Sequence, residues 1–148
     1  MSNRHQGLFT KTALLAAFAT VAVGCDATGE TIGPRGGTLV SEDGRFSLDI
    51  PAGALEADLD LSIEEVECGL GEAIGSCYAV FPRGTTFLLP AEVAYEVADM
   101  DEVDEYVGVV AEAAHGWQML PDRDVDLEDA VVYGSSMVLT EYGLAKVE

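Results

Sequence analysis

The sequence predicts an all-β fold, an antiparallel β-sandwich, for most of the 148-residue chain. Three observations favour this class. Short stretches of alternating apolar and polar residues recur along the chain, turn residues separate these stretches, and β-branched and aromatic residues are common within them. The first 31 residues differ from the rest and predict a helical signal segment followed by a short flexible tether.

The clearest alternation is the stretch RFSLDIP, which places Phe46, Leu48 and Ile50 on one side of a half-buried strand. The pair Asp43-Gly44 just before it is a strong hairpin signal. Alternating or short apolar stretches predict further strands in LDLSIEEVE, CYAVFP, AEVAYEV, WQML, AVVYG, SMVLTEY and GLAKV.

The segment between residues 99 and 113 fits two patterns. Some of its apolar residues fall at helical spacing, but Val107, Val109 and Val110 are β-branched and crowded. We therefore expect an acidic loop over 99–105 and a strand over 106–113.

The start of the chain has the order of an export signal. Arg4 and Lys11 supply positive charge, and 13 apolar or small residues follow from 12 to 24. A membrane-spanning helix needs about 20 apolar residues, so this run fits a signal core instead. The sequence AVGC at 22–25 resembles a bacterial lipobox, in which the chain is cut before the cysteine and a diacylglycerol is joined to its sulfur.

This resemblance divides the chain into a lipoprotein signal peptide (1–24), a lipidated Cys25 with its tether (25–31), and a β-sandwich (32–148). The lipid would attach the protein to the inner or outer membrane of a bacterial cell envelope, with the domain outside the cytoplasm. Asp26 resembles an inner-membrane retention signal of enteric bacteria, a rule that varies between bacteria.

The two other cysteines, Cys68 and Cys77, form an even pair in an exported domain. An oxidising compartment predicts a disulfide between them. Closing a 10-residue loop stabilises by about 2.7 kcal/mol on the chain-entropy estimate. The alternatives are two buried free thiols, or a zinc site that would lack further ligands.

The charge of the exported part restricts its partners. Residues 25–148 carry 5 basic and 27 acidic side chains, a net charge of −22. Such a charge repels nucleic acid and anionic lipid surfaces. Apolar residues make up 49% of the chain, which predicts a folded domain rather than a disordered acidic segment.

Residues 32–55, IGPRGGTLVSEDGRFSLDIPAGAL, resemble the opening of the ZU-five domain. This β-sandwich module occurs in ankyrins, zona-occludens proteins, netrin receptors and many bacterial cell-surface proteins. The likeness continues more weakly to residue 147. It is carried by the Gly36-Gly37 pair, the Asp43-Gly44 turn, the stretch IPAGAL, Pro82, Gly84, Thr86-Phe87, Pro90 and the stretch HGWQMLP.

The resemblance implies a β-sandwich fold and, by analogy with the animal proteins, an interaction module with an unknown protein partner. Some members of the family cleave themselves at a His-Phe-Ser sequence. The nearest stretch here is Val138-Leu139-Thr140, so no self-cleavage is expected. The large apolar side chains expected in the core are Phe46, Leu48, Ile50, Phe87 and Trp117.

Catalytic motifs are few, and the chain is predicted not to be an enzyme. A hydrolase would need His115, the single histidine after the signal segment, which lies in a predicted turn. No serine stands in a nucleophile-elbow sequence.

Calcium is the one cofactor that the sequence suggests. Asp122, Asp124 and Asp126 lie at alternate positions, as in the start of an EF-hand loop. However, Leu127 replaces the turn glycine and Tyr133 replaces the bidentate glutamate of such a loop. The acidic stretch DMDEVDE is another possible site, and solvated acidic loops are the simpler interpretation.

The leading expectation is therefore a lipid-anchored cell-envelope protein with a non-enzymatic interaction or structural role. The alternative is a calcium-dependent adhesion or matrix-binding module, and a hydrolase comes third.

Overall fold

The computed structural model describes residues 28–99, 101, 104 and 106–147. The predicted signal peptide and Cys25 lie outside these residues. The described part contains eleven β-strands and no α-helix. The strands are β1 (Thr28–Ile32), β2 (Gly37–Val40), β3 (Phe46–Ile50), β4 (Leu59–Val66), β5 (Cys77–Phe81), β6 (Thr86–Glu96), β7 (Val107–Ala113), β8 (Gly116–Met119), β9 (Asp124–Asp126), β10 (Val131–Val138) and β11 (Glu141–Lys146).

The strands form two sheets in which every neighbouring pair is antiparallel. The six-stranded sheet has the order β1-β4-β5-β11-β7-β8, and the five-stranded sheet has the order β2-β3-β6-β10-β9. Side chains of both sheets meet in one buried apolar cluster. The all-β prediction is confirmed, and the arrangement is that of a β-sandwich.

The structure corrects the predicted start of the domain. The sequence predicts a tether that includes residues 28–31, but these residues belong to β1, which pairs with β4 from Thr28↔Ile63 to Ile32↔Leu59. Ile32 is buried in the core. Pairing with β4 gives the backbone N–H and C=O groups of β1 hydrogen-bond partners within the protein, whereas a free tether would bond to water. The sequence TGETI has no clear alternation that would predict this strand.

Further strand boundaries differ from the sequence prediction. VVYG and SMV belong to one strand, β10, which has an irregularity between Ser136 and Val138, whereas the last two residues of the predicted stretch SMVLTEY belong to β11. Strand β6 begins at Thr86, five residues before the predicted stretch AEVAYEV. The acidic stretch around Asp122, Asp124 and Asp126, for which a solvated loop is the simpler interpretation of the sequence, contains the short strand β9, which pairs with β10. The ambiguous segment is a strand, Val107–Ala113, as the crowded β-branched residues predicted.

Four aromatic rings join the two sheets in the core. Phe46 of β3 stacks on Tyr78 of β5, with ring centroids 5.1 Å apart, and on Tyr142 of β11 at 5.4 Å. Tyr95 of β6 meets Phe46 and Tyr78 edge to face. These contacts bury large apolar surfaces in geometries that aromatic pairs favour.

Each tyrosine hydroxyl of this cluster has a hydrogen-bond acceptor. Tyr95 donates to the Ser76 carbonyl at 2.5 Å, and Tyr142 donates to the Val138 carbonyl at 2.6 Å. Burial raises the pKa of both Tyr95 and Tyr142 to about 12. The phenols therefore stay neutral at ordinary pH, as a dry sheet interface requires.

The hydroxyl of Tyr78, the third tyrosine of the cluster, connects the β2–β3 turn to the core. Tyr78 donates to Asp43 Oδ2 at 2.5 Å, while the Ser41 hydroxyl and the Arg45 amide donate to Oδ1. Burial by itself would raise the pKa of Asp43, but these hydrogen bonds and the Arg45 charge outweigh it and lower the pKa. Gly44 beside it has φ of 75°, which favours glycine in the turn.

The substitution Tyr78→Phe tests this tie, since it keeps the ring and removes the hydroxyl. We expect the free energy of unfolding to fall by about 1.5 kcal/mol near neutral pH, as for a hydrogen bond to a charged group. Folding lowers the pKa of Asp43, so its carboxylate stabilises the folded state most fully when the pH is above the unfolded pKa of about 4. This stabilisation is lost as the pH falls through the folded pKa.

Urea unfolding at a series of pH values measures this effect. The difference between wild type and Tyr78→Phe should be constant above about pH 5 and shrink below about pH 4. Tyr133→Phe is the matched control, since its hydroxyl makes no hydrogen bond within the described residues. An unchanged difference at low pH would show that the carboxylate is not the source of the stability.

Candidate functional site

An apolar groove lies on the outer face of the six-stranded sheet, away from the core. It has a volume of about 540 Å³ and runs between the loop 67–76 and the edge strand β8. Its apolar lining comes from Leu70, Ile74, Val110, Trp117, Met119, Ala145 and Val147.

The floor of the groove is low because small residues occupy the middle of the sheet. Gly143 pairs with Val110, and Val110 pairs with Met119, so these residues form one row across three strands. A Cβ at Gly143 would lie 2.7 Å from the Cys77 sulfur. A Cβ at Gly108, the partner of Ala145, would overlap the Met119 side chain. Larger residues at either glycine would displace the groove's own side chains.

Trp117 forms one wall of the groove and corrects a core prediction. The β7–β8 hairpin pairs Trp117 with Glu112, and the indole packs over Gly143. Trp117 is only partly buried and does not belong to the core cluster. The sequence could not reveal this, because Trp117 belongs to the edge strand β8, whose outward face has no second layer among the described residues.

The opposite wall is held by the predicted disulfide, which the structure confirms. Cys68 and Cys77 are bonded, and Cys77 is fully buried. The loop between them carries Leu70 and Ile74, and the Ile74 amide donates to the Leu144 carbonyl at 2.9 Å. The loop therefore continues along β11 after the pairing of β11 with β5 ends.

The cations near the groove are already bound. Arg83 makes ion pairs with Glu112 at 3.1 Å and with Glu141 at 2.9 Å. Lys146, which lines the groove, pairs with Asp104 at 3.3 Å. A ligand at the described part of this face would therefore meet apolar side chains, carboxylates and two engaged cations. These are Lys146, whose side chain is 63% exposed, and Arg123, which lies beside Gly108 and donates to the Val107 carbonyl.

The structure does not assemble catalytic groups around His115. This residue is exposed in the β7–β8 turn, and no hydrogen bond among the described residues joins it to a serine, a cysteine or a carboxylate. The prediction that the chain is not an enzyme stays a prediction.

The structure brings the calcium candidates Asp122, Asp124 and Asp126 to one recess that Glu92 also lines. Asp124 and Asp126 lie on the extended strand β9, whereas Asp122 lies in a bend with φ of 55°. An EF-hand loop curls around its ion, whereas alternate side chains of a strand are about 6.6 Å apart. Asp126 Oδ1 already accepts hydrogen bonds from the amides of Glu128 and Asp129. Within the described ranges, no group of three or more potential ligands is arranged to hold a metal. Calcium binding stays a prediction.

Comparison with known proteins adds no assignment. No protein-family model matches the chain, and the search of curated proteins finds no match. The resemblance to the ZU-five domain therefore stays a prediction. Among the residues that the structure describes, no helix is both long and apolar enough to cross a membrane.

The sequence alone does not reveal the groove. The available signals were Gly108 and Gly143, each inside an apolar stretch, since a glycine within a strand often marks a close approach. They do not show which face of the sheet is outside. That depends on pairings between distant strands.

Removing the disulfide with Cys68→Ala and Cys77→Ala together should lower the free energy of unfolding by about 2.7 kcal/mol, because the unfolded chain gains loop freedom. Amides of the loop 69–76 should also exchange hydrogen faster, since the groove wall loses its covalent tie. Urea unfolding and hydrogen exchange measure the two effects.

Wild-type protein reduced with dithiothreitol is the control and should match the double variant. Unchanged exchange in the loop would show that the wall holds without the disulfide.

Proposed function

We propose that the protein is a lipid-anchored component of a bacterial cell envelope that binds another protein through the groove and performs no catalysis. The groove is the observation that carries this proposal. An apolar recess next to a sheet edge and outside the core is typical of a binding surface.

The proposed anchor would present the groove away from the membrane. Only two residues separate Cys25 from the start of β1, which limits the span to about 10 Å. β1 and β8 are opposite edges of the six-stranded sheet. At about 4.8 Å per strand spacing, the groove edge is on the order of 20 Å from the anchored edge.

The two alternatives have weaker support. A calcium-dependent adhesion module would use β9, whose carboxylates lie on an extended strand. A hydrolase would use His115, which has no hydrogen-bonded partner in the described part of the chain.

Mass spectrometry of the membrane-extracted protein tests the anchor. We expect a mature chain that begins at Cys25 and carries a diacylglycerol on its sulfur. Cys25→Ser is the control and should prevent lipid attachment. Retention of residues 1–24, or an unmodified Cys25, would contradict the proposal.

A photo-crosslinking amino acid placed at Met119 tests the binding surface in the native envelope. We expect a discrete crosslinked product from this position, because Met119 lines the groove and is 36% exposed. The matched control is Met137, which is 49% exposed on β10 of the other sheet. Equal products from both positions, or none from Met119, would contradict binding through the groove.

A further inference from the structure

Resting on the proposed function, we infer the chemistry of the segment that the groove binds. We propose an extended protein segment that adds as a strand to the free edge of β8, inserts an apolar side chain beside the groove's tryptophan, and carries lysine or arginine on its flanks.

The free edge of β8 is the first reason. Gly116–Met119 pairs with β7 on one side, and no strand among the described residues pairs with the other side of β8. Its other side therefore presents backbone N–H and C=O groups that an added strand can bond. The sequence GWQM has no charged residue and no proline, which are two of the devices that protect a sheet edge, and its protection is limited to its length of 4 residues.

The side chains next to this edge are the second reason. Trp117 is paired with Glu112, and Met119 is paired with Val110. These side chains lie on the outer face of the sheet and form two cross-strand rows that end at the edge of β8. A new strand would extend these rows, with alternate side chains on the outer face. An apolar side chain there would contact Trp117 and Met119, the two β8 side chains that wall the groove, and cover their exposed apolar surface.

The charge pattern is the third reason. Glu72 lines the groove, is exposed, and has no hydrogen bond or ion pair with another described residue. Asp104, which pairs with Lys146 at 3.3 Å, adds a second carboxylate at the end of the groove where Lys146 lies. Basic flanks would complement these carboxylates and the net charge of −22.

The same charge argues against a second copy of this chain as the occupant. Each copy would bring a net charge of −22 to the contact, and the nearby Arg83 and Lys146 are already paired. Repulsion between like charges disfavours such a dimer.

Selection from a phage-displayed library of random nine-residue peptides tests the proposal. The bait is the purified full chain, in the N-terminal form that mass spectrometry finds. We expect enriched peptides to place an apolar residue between lysines or arginines. A synthetic peptide of the enriched sequence should shift the emission of Trp117, the single tryptophan, on binding.

Two variants with the same substitution locate the binding. Met119→Lys adds a cation to the groove wall, while its aliphatic stem still covers Gly108. It should weaken peptide binding by about tenfold or more. Met137→Lys adds the same charge on the other sheet and should leave the affinity unchanged.

Backbone methylation of the synthetic peptide tests strand addition. Methyl groups on alternate amides should weaken binding by about tenfold in one register and have little effect in the other, because only alternate amides face β8. Equal effects in both registers would overturn strand addition.

Other outcomes would also overturn the inference. These are enrichment of acidic or uncharged peptides, no enrichment at all, and equal binding by Met119→Lys. A concentration-dependent dimer that Met119→Lys abolishes would instead identify a second copy as the occupant. A failure of the proposed function can be distinguished from a failure of this inference. It would appear as an unlipidated Cys25 or as the absence of a crosslink from Met119, and neither result depends on the peptide.

Discussion

The contact between Phe46 and the tyrosines of the opposite sheet is the interaction on which the structure depends. Phe46 belongs to the five-stranded sheet, and Tyr78 and Tyr142 belong to the six-stranded sheet. Their stacked rings hold the two layers face to face. Because the rings come from strands far apart in the sequence, this one cluster fixes how the hairpins are combined.

Burying tyrosines also restricts the loops around the core. A buried hydroxyl without a partner costs about 1–3 kcal/mol, so each ring needs an acceptor at its tip. The acceptors come from the β2–β3 turn at Asp43, from Ser76 in the disulfide loop, and from Val138 before β11. The loop that walls the groove is thus connected to the core at Ser76 and to β5 through its disulfide.

The groove exists because the two faces of the six-stranded sheet are covered to different extents. The inner face of β7 presents Val107, Val109 and Ala111 to the core, whereas Val110 faces outward and is still 95% buried. Trp117, Met119 and the disulfide loop partly cover that outer face, and the recess between them is open. The proposed binding function depends on this opening, and it needs no catalytic group.

Alternation and composition determined the all-β class, the strand around Phe46 and the strand at Val107–Ala113, because strands depend on local periodicity. The number and position of the cysteines determined the disulfide, because an oxidising compartment favours pairing of Cys68 with Cys77. Only the tertiary structure decided that β1 joins the sheet and that Trp117 lies outside the core. Alternation shows that a strand has two faces, but the side that meets a second layer depends on pairings such as Gly143↔Val110, across distant parts of the chain.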